Sequence, residues 1–321
     1  MTTSTPPKPI LILGAGELGG AIISALLSHP AYDPTTTPLT LVLRPSTLAS
    51  PPPTRASELA HYRAHSISLL GADIDATSGS DLSSLFAPFD TVIHAGGMLA
   101  PRGTQAKVTD AVLAARVRRY IPWQHGVDYD VIGPEAGKGL FAEQCGVRRR
   151  LRAQRDTAWV IVSCGIFMSF LFEGAWGVVV PLEGGQGKDE EVKVKVTALG
   201  SWEDGITATT AEDIGKTCAR LLLDDGEEKE WGKPVFIAGE TLTYSQLADV
   251  VGQVTGKEVV KELWDRERFA RELEANPEDK LWKYRAVFGG GRGVSWPASE
   301  TWSQQRGMNM QGVGEWLKGR A

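Results

Sequence analysis

Cysteine is scarce in these 321 residues: Cys145, Cys164 and Cys218 are widely spaced and odd in number. That excludes a disulfide framework and suits a reducing compartment. None sits in a CxxC pair, and the five histidines show no metal-ligand spacing, so no metal site is expected. A basic surplus is also missing. The formal net charge is −5, which argues against nucleic-acid binding. No apolar run approaches the length of a membrane span, and "MTTSTPPKP" lacks the apolar core of a signal peptide. The expectation is a cytoplasmic protein that engages neither nucleic acid nor membrane. What is present, 42% hydrophobic and 23% charged residues, is ordinary for a globular chain of one large core or two unequal lobes.

The first half alternates apolar strands with helical segments. Strands are expected at 10–14, 39–44, 66–74, 90–97, 119–123 and 159–167, with helices at 17–29, 104–118 and 139–154. That alternation predicts an α/β fold with a Rossmann-like, doubly wound parallel sheet. "STLASPPPTRAS" (46–57) reads as a proline-rich surface loop. After residue 167 the alternation breaks down. "VVVPLEGGQGKDEEVKVKVTALG" reads as two extended arms around a glycine-rich turn. Helices are expected at 209–225, in "SQLADVVGQVTG" and in "DRERFARELEAN", with a strand at 234–239. The segment "FGGGRGVSWPASETWSQQRGMNMQ" reads as an irregular lobe or lid. The expected division is a dinucleotide-binding domain over 1–166 and a smaller substrate lobe over 167–321, with parts of 205–240 returning to the first.

"GAGELGG" places Gly14, Gly16 and Gly19 in GxGxxG register between a strand and a helix. Gly14 would allow the tight turn, Gly16 the approach of a pyrophosphate, and Gly19 close helix–strand packing. The amides of Glu17 and Leu18, at the positive end of the helix dipole, would face the phosphates. An acidic residue after the second strand would suit NAD(H). The sequence has Arg44 there, with Ser46 and Thr47 behind it, which suits the 2′-phosphate of NADP(H). The blander alternatives are an unliganded glycine turn and a surface arginine.

These features, with "GADID" (71–75), "PWQHG" (122–126) and "TTAEDIG" (209–215), resemble NmrA-like proteins. That is the isoflavone-reductase-like branch of atypical short-chain dehydrogenases, and the likeness is strongest to fungal members with a "PWQ-x-GVDYD" stretch. The resemblance implies an NADP(H) domain, a small carboxyl lobe and substrate in the cleft between them. It adds Asp73 of "GADID" to the cofactor candidates. Family reductases act on aromatic metabolites; the nitrogen-regulation branch binds the dinucleotide without turning it over. Some fungal relatives use the cofactor to assist a cyclisation or rearrangement.

The catalytic centre departs from familiar patterns. A short-chain dehydrogenase tyrosine needs lysine four residues on. Tyr62, Tyr120, Tyr129, Tyr244 and Tyr284 are followed at that spacing by Ser66, Gln124, Gly133, Ala248 and Phe288. The lysine of the family's Lys-x-x-(Ile/Val)-Arg pattern is matched here by "QCGVR", which puts Gln144 at that position. An amide can orient a substrate but cannot carry a proton near neutrality. His125 and Lys138 are the compensating candidates, with Tyr129 a third. Each has a structural alternative: His125 as a packed ring, Lys138 as a solvated cation, Tyr129 as a wall residue. Asp128 and Asp130 read as turn and capping residues, and His94 as a core histidine.

Trp123, Gln124 and Gln144 are substrate-binding candidates, because ligands bind at the carboxyl ends of parallel strands. Phe167, Met168 and Phe172 could wall an aromatic pocket or belong to the core. Gly96 and Gly97 would leave room for cofactor. "VRRRLRAQR" (147–155) reads as a solvated helix face. Three functions follow: an NADP(H)-dependent oxidoreductase of a bulky aromatic or alkaloid-type small molecule; a cofactor-assisted cyclase; and a non-catalytic NADP-sensing regulator. A homodimer is compatible with each.

Overall fold

"ILIL" is four apolar residues in a row, and a strand with that pattern must be covered on both faces. In the computed structural model, which describes residues 7–97, 100–182 and 193–320, it is β1 (Ile10–Leu13), buried at every position. The other strands of its sheet are β2 (Leu39–Leu43), β3 (Ser68–Gly71), β4 (Thr91–His94), β5 (Arg119–Ile121), β6 (Ala158–Ser163) and β7 (Lys233–Phe236). Their spatial order is β7-β6-β5-β4-β1-β2-β3, a seven-stranded, Rossmann-like parallel sheet. The chain starts in the middle of the sheet and winds outward in both directions. The carboxyl ends of β1 and β4 therefore lie side by side, with Leu13 in register with His94. At such a reversal of strand order, open α/β sheets bind ligands.

The described residues form two compact units. One holds residues 1–124, 146–162 and 214–234; the other holds 125–145, 163–213 and 235–321. The chain thus passes between the units several times, and 214–234 belongs with the first. One core of the first unit packs Leu11, Leu13 and Val92 with Phe86, Val108 and Val112. The second unit has its own core, built on Trp176, Phe288, Val196 and Leu247. It carries two three-stranded sheets. In one, Gly205–Thr209 pairs antiparallel with Glu240–Thr243 and parallel with Ile166–Phe167. In the other, Val194–Leu199 lies between Val179–Pro181 and Val259–Trp264.

Several local expectations need correction. Residues 46–57 are not loop: helices run over Pro45–Ala49 and Pro53–Ala64. Pro45 and Pro53 stand at the first helical position, where a missing N–H costs nothing and the fixed φ favours the turn. The two arms after residue 178 are strands, as expected, and the turn expected between them lies outside the described residues. The strands Gly205–Thr209, Glu240–Thr243 and Val259–Trp264 and the helix Lys280–Gly289 were not expected. The carboxyl segment is irregular, yet it is no free lid. Asp128 N donates to Gly293 O, Trp296 N to Thr207 Oγ1 and Trp296 Nε1 to Ile237 O, all at 2.7–3.2 Å.

Candidate functional site

The glycines of "GAGELGG" have three separate reasons to be glycine. Gly14 has φ 95°, in the left-handed region, and a side chain on it would reach within 3.3 Å of Gly96. Gly19 begins to pack helix Glu17–Ser28 on the sheet, and a Cβ there would lie 2.1 Å from Gly14 O. Gly16 is different. A Cβ on it would meet nothing within 4 Å, and its backbone is extended. Protein packing does not demand glycine at that point, whereas a phosphate lying against the backbone would. The first-turn amides of a 12-residue helix follow directly. Leu18 is buried, so only its amide is available to a ligand, while Glu17 is exposed. Arg55 Nη1, from a segment expected to be loop, donates to Ala15 O at 2.8 Å and pins the turn. No sequence signal pointed to Arg55.

At the end of β2, Arg44 is exposed, with Nη2 3.2 Å from Asp75 Oδ2. Ser46 is also exposed, in the first turn of the short helix that follows. Asp73 is engaged locally: its Oδ1 accepts from the amides of Asp75 and Ala76 at 3.0 and 3.2 Å. On β4, burial pulls His94 down to about 4, against the opposing effects of a Gly96 backbone bond and the Asp75 charge. The ring is neutral near pH 7. Gly97 owes its identity to packing, since a Cβ there would strike Gln105 Nε2 at 2.1 Å and the Trp123 ring at 2.8 Å. The ring of Trp123 therefore lies on the β4 end.

Gln124 is fully buried and accepts from Arg148 Nε at 3.1 Å. Arg148 corrects the reading of "VRRRLRAQR" as solvated, because it is 1% exposed while Arg149 and Arg150 are exposed. The signal was available: Arg148 is the arginine that closes the "QCGVR" pattern.

The other candidates belong to the second unit. His125 is buried, and the next residue's carbonyl, Gly126 O, accepts from the amides of Cys164 and Gly165. Asp128 caps the turn Tyr129–Ile132 through Oδ1 and Asp130 N, as expected. The Tyr129 phenol is pressed on Gly126, whose Cβ would lie 2.6 Å from it. Its ring is 5.1 Å from Phe141, which continues to Tyr284, Phe170 and Trp176 at centroid spacings of 5.1–5.9 Å. Burial, then the neighbouring Tyr129 and Cys164, raises the Tyr284 phenol well above its ordinary value. Lys138 is exposed and holds a left-handed backbone, φ 55° and ψ 43°, that non-glycine residues rarely adopt. Gln144 is partly buried on helix Ala142–Arg152. Phe167 is partly buried and Phe172 stacks on Trp316 at 4.9 Å. Met168 is wholly core, with no surface to offer a substrate.

The structure thus places Gly14, Gly96, Arg44, Trp123 and Gln124 just past strand ends, and Gly16 and Gly19 at the head of the first helix, all in one unit. His125, Tyr129, Lys138, Gln144 and the aromatic run lie in the other. Among the described residues, no helix is long and apolar enough to cross a membrane.

The sequence profile of the NmrA-like family matches residues 6–305. An "NmrA-like family domain-containing oxidoreductase" of Gibberella moniliformis is 41% identical over 313 residues, 96% of this chain and 97% of that protein. An isoflavone reductase of Pisum sativum is 30% identical over 275 residues, covering 83% and 82%. The fold is that of the Vitis vinifera leucoanthocyanidin reductase solved with NADPH. The TM-score is 0.74, with 17% identity and coverage of 97% and 98%. Family profile, relatives and fold agree: this chain belongs to the NmrA-like family.

Proposed function

We propose that this protein is an NADP(H)-dependent oxidoreductase of a bulky, partly aromatic small molecule. The observation that carries the reading is the Gly16 opening at the head of a 12-residue helix, with Arg44 on the adjacent strand. The names of the relatives, an oxidoreductase and an isoflavone reductase, and the NADPH held by the leucoanthocyanidin reductase support it. The amides after Gly16 would hold the pyrophosphate, and Arg44 the 2′-phosphate through a forked, charge-assisted contact. When bound, NADPH supplies a hydride, here to a C=N, C=C or C=O bond.

The chain's own task is to position that bond and supply the proton. Gln144 stands at the family's lysine position and can only hydrogen-bond. His125 is the proposed proton donor, with Tyr129 and Lys138 as the other titrating candidates. Phe167 and Phe172 are the proposed apolar contacts for the substrate, and Gln124, as buried as Met168, is assigned a positioning role through Arg148. The absent lysine specifically favours a second reading, a cofactor-assisted cyclisation or rearrangement in which the substrate moves its own proton.

Calorimetry with NADPH and NADH, followed by assay of aromatic imines, enones and ketones, tests the proposal. The expected result is tighter NADPH binding and NADPH consumption with one of these classes. Isomerisation without consumption would favour the second reading. Tight binding with no conversion of any compound would replace both with a sensing role.

A further inference from the structure

Arg44 does not wait alone for a phosphate. Its guanidinium already faces a carboxylate, Asp75 Oδ2, at 3.2 Å. The arginine side chain is 66% exposed and the aspartate 26%, so the pair is open to solvent and to competition. Asp75 itself is firmly held. Thr104 Oγ1 donates to its other carboxylate oxygen at 3.2 Å, and Lys107 Nζ donates to its carbonyl at 2.8 Å and to Thr77 O at 2.9 Å. Two residues of helix Thr104–Ala114 therefore clamp the loop after β3 and aim its carboxylate at Arg44. The Asp73 carboxylate stiffens the same loop by accepting the Asp75 and Ala76 amides.

We propose that Asp75 is a specificity-determining residue, an internal competitor that occupies Arg44 and moderates the preference for a 2′-phosphate. The inference rests on the NADP(H) reading above. A dinucleotide with a 2′-phosphate must take Arg44 from Asp75 or share it, and its dianion meets the Asp75 charge nearby. A dinucleotide with a free 2′-hydroxyl meets neither penalty. An exposed ion pair is worth at most about a fivefold factor, and removal of the adjacent like charge adds to it. Together these set a penalty of about threefold to tenfold on NADP(H) alone.

The test is calorimetric titration of the full chain with NADP⁺ and NAD⁺. The proteins compared are wild type, Asp75→Asn, Arg44→Ala and the double variant. Asp75→Asn keeps an acceptor for Thr104 and leaves the Lys107 contact to the backbone intact. It should bind NADP⁺ about threefold to tenfold more tightly with NAD⁺ unchanged, and the gain should vanish when Arg44 is also alanine. If Asp75→Asn melts early, Asp75→Ser is read the same way. Unchanged or weaker NADP⁺ binding, an equal gain for NAD⁺, or a gain that survives without Arg44 would each overturn the role of Asp75. Equal wild-type affinity for the two cofactors would instead overturn the NADP(H) reading on which it rests.

Discussion

Arg148 sits where almost none of it meets water, and it donates to an equally buried Gln124. Replacing it with methionine leaves a buried amide oxygen without that donor, at a cost of about 1–3 kcal/mol. Arg149→Met, one residue away and exposed, should change stability by less than about 0.5 kcal/mol. Urea unfolding of the two variants checks this, and equal midpoints would show that the Arg148 bond contributes nothing. His125 poses the corresponding chemical question. His125→Phe preserves ring volume and removes the titrating group. Cofactor affinity should hold while turnover falls by about 10²-fold, the usual size of a general acid–base contribution. Normal turnover in that variant would make His125 a packed ring and return the proton to Tyr129, Lys138 or the substrate.

At the scale of elements, the first helix separates ligand binding from folding. Gly19→Ala forces a Cβ to 2.1 Å from Gly14 O, so helix and strand must part and the melting temperature should fall. In Gly16→Val the new Cβ meets nothing within 4 Å of protein. That variant should melt like wild type and lose dinucleotide binding, because the new side chain fills the pyrophosphate's space. A destabilised Gly16→Val that still binds would contradict the cradle. Gly215 follows the same logic as Gly19: its Cβ would lie 2.6 Å from Ala21 O, so two helices cross there at backbone contact. The motif "TTAEDIG" owes its last glycine to that crossing.

For the whole molecule, two groups set distinct acid limits. Burial alone would raise the Glu262 carboxyl. Hydrogen bonds from Trp264, Lys195 and Arg268 at 2.7–3.0 Å, with the Lys195 charge, outweigh it and hold the group at about 2. Its contribution to stability is whole above pH 4.5, the ordinary value, and is lost as pH falls toward 2. His94, neutral and buried, has its value lowered from 6.5 to about 4. The unfolded chain therefore takes up that proton first. Its contribution is whole above pH 6.5 and declines as pH falls to 4. Denaturant midpoints against pH should fall over both windows, His94→Gln flattening the upper and Glu262→Gln the lower. A His94→Gln profile parallel to wild type above pH 4 would refute the first assignment.

The sequence by itself determined the α/β class, the central sheet strands and the GxGxxG turn. Each rests on local signals: apolar runs, helical spacing and glycine at fixed offsets. It also led to the family, since "PWQHGVDYD" and "QCGVR" are contiguous. Only tertiary structure decided which residues meet. The strands Gly205–Thr209, Glu240–Thr243 and Val259–Trp264 escaped notice because pairings such as Gly205 with Thr243 join residues far apart in the chain. Prolines that looked like loop markers became helix starts, because a helix needs nothing from its first N–H. The burial of Arg148 and Met168, and the Arg44–Asp75 pair, depend on distances across 24 to 31 residues of sequence or on core packing. No local pattern encodes such distances. They follow from how the sheet and its helices close on one another.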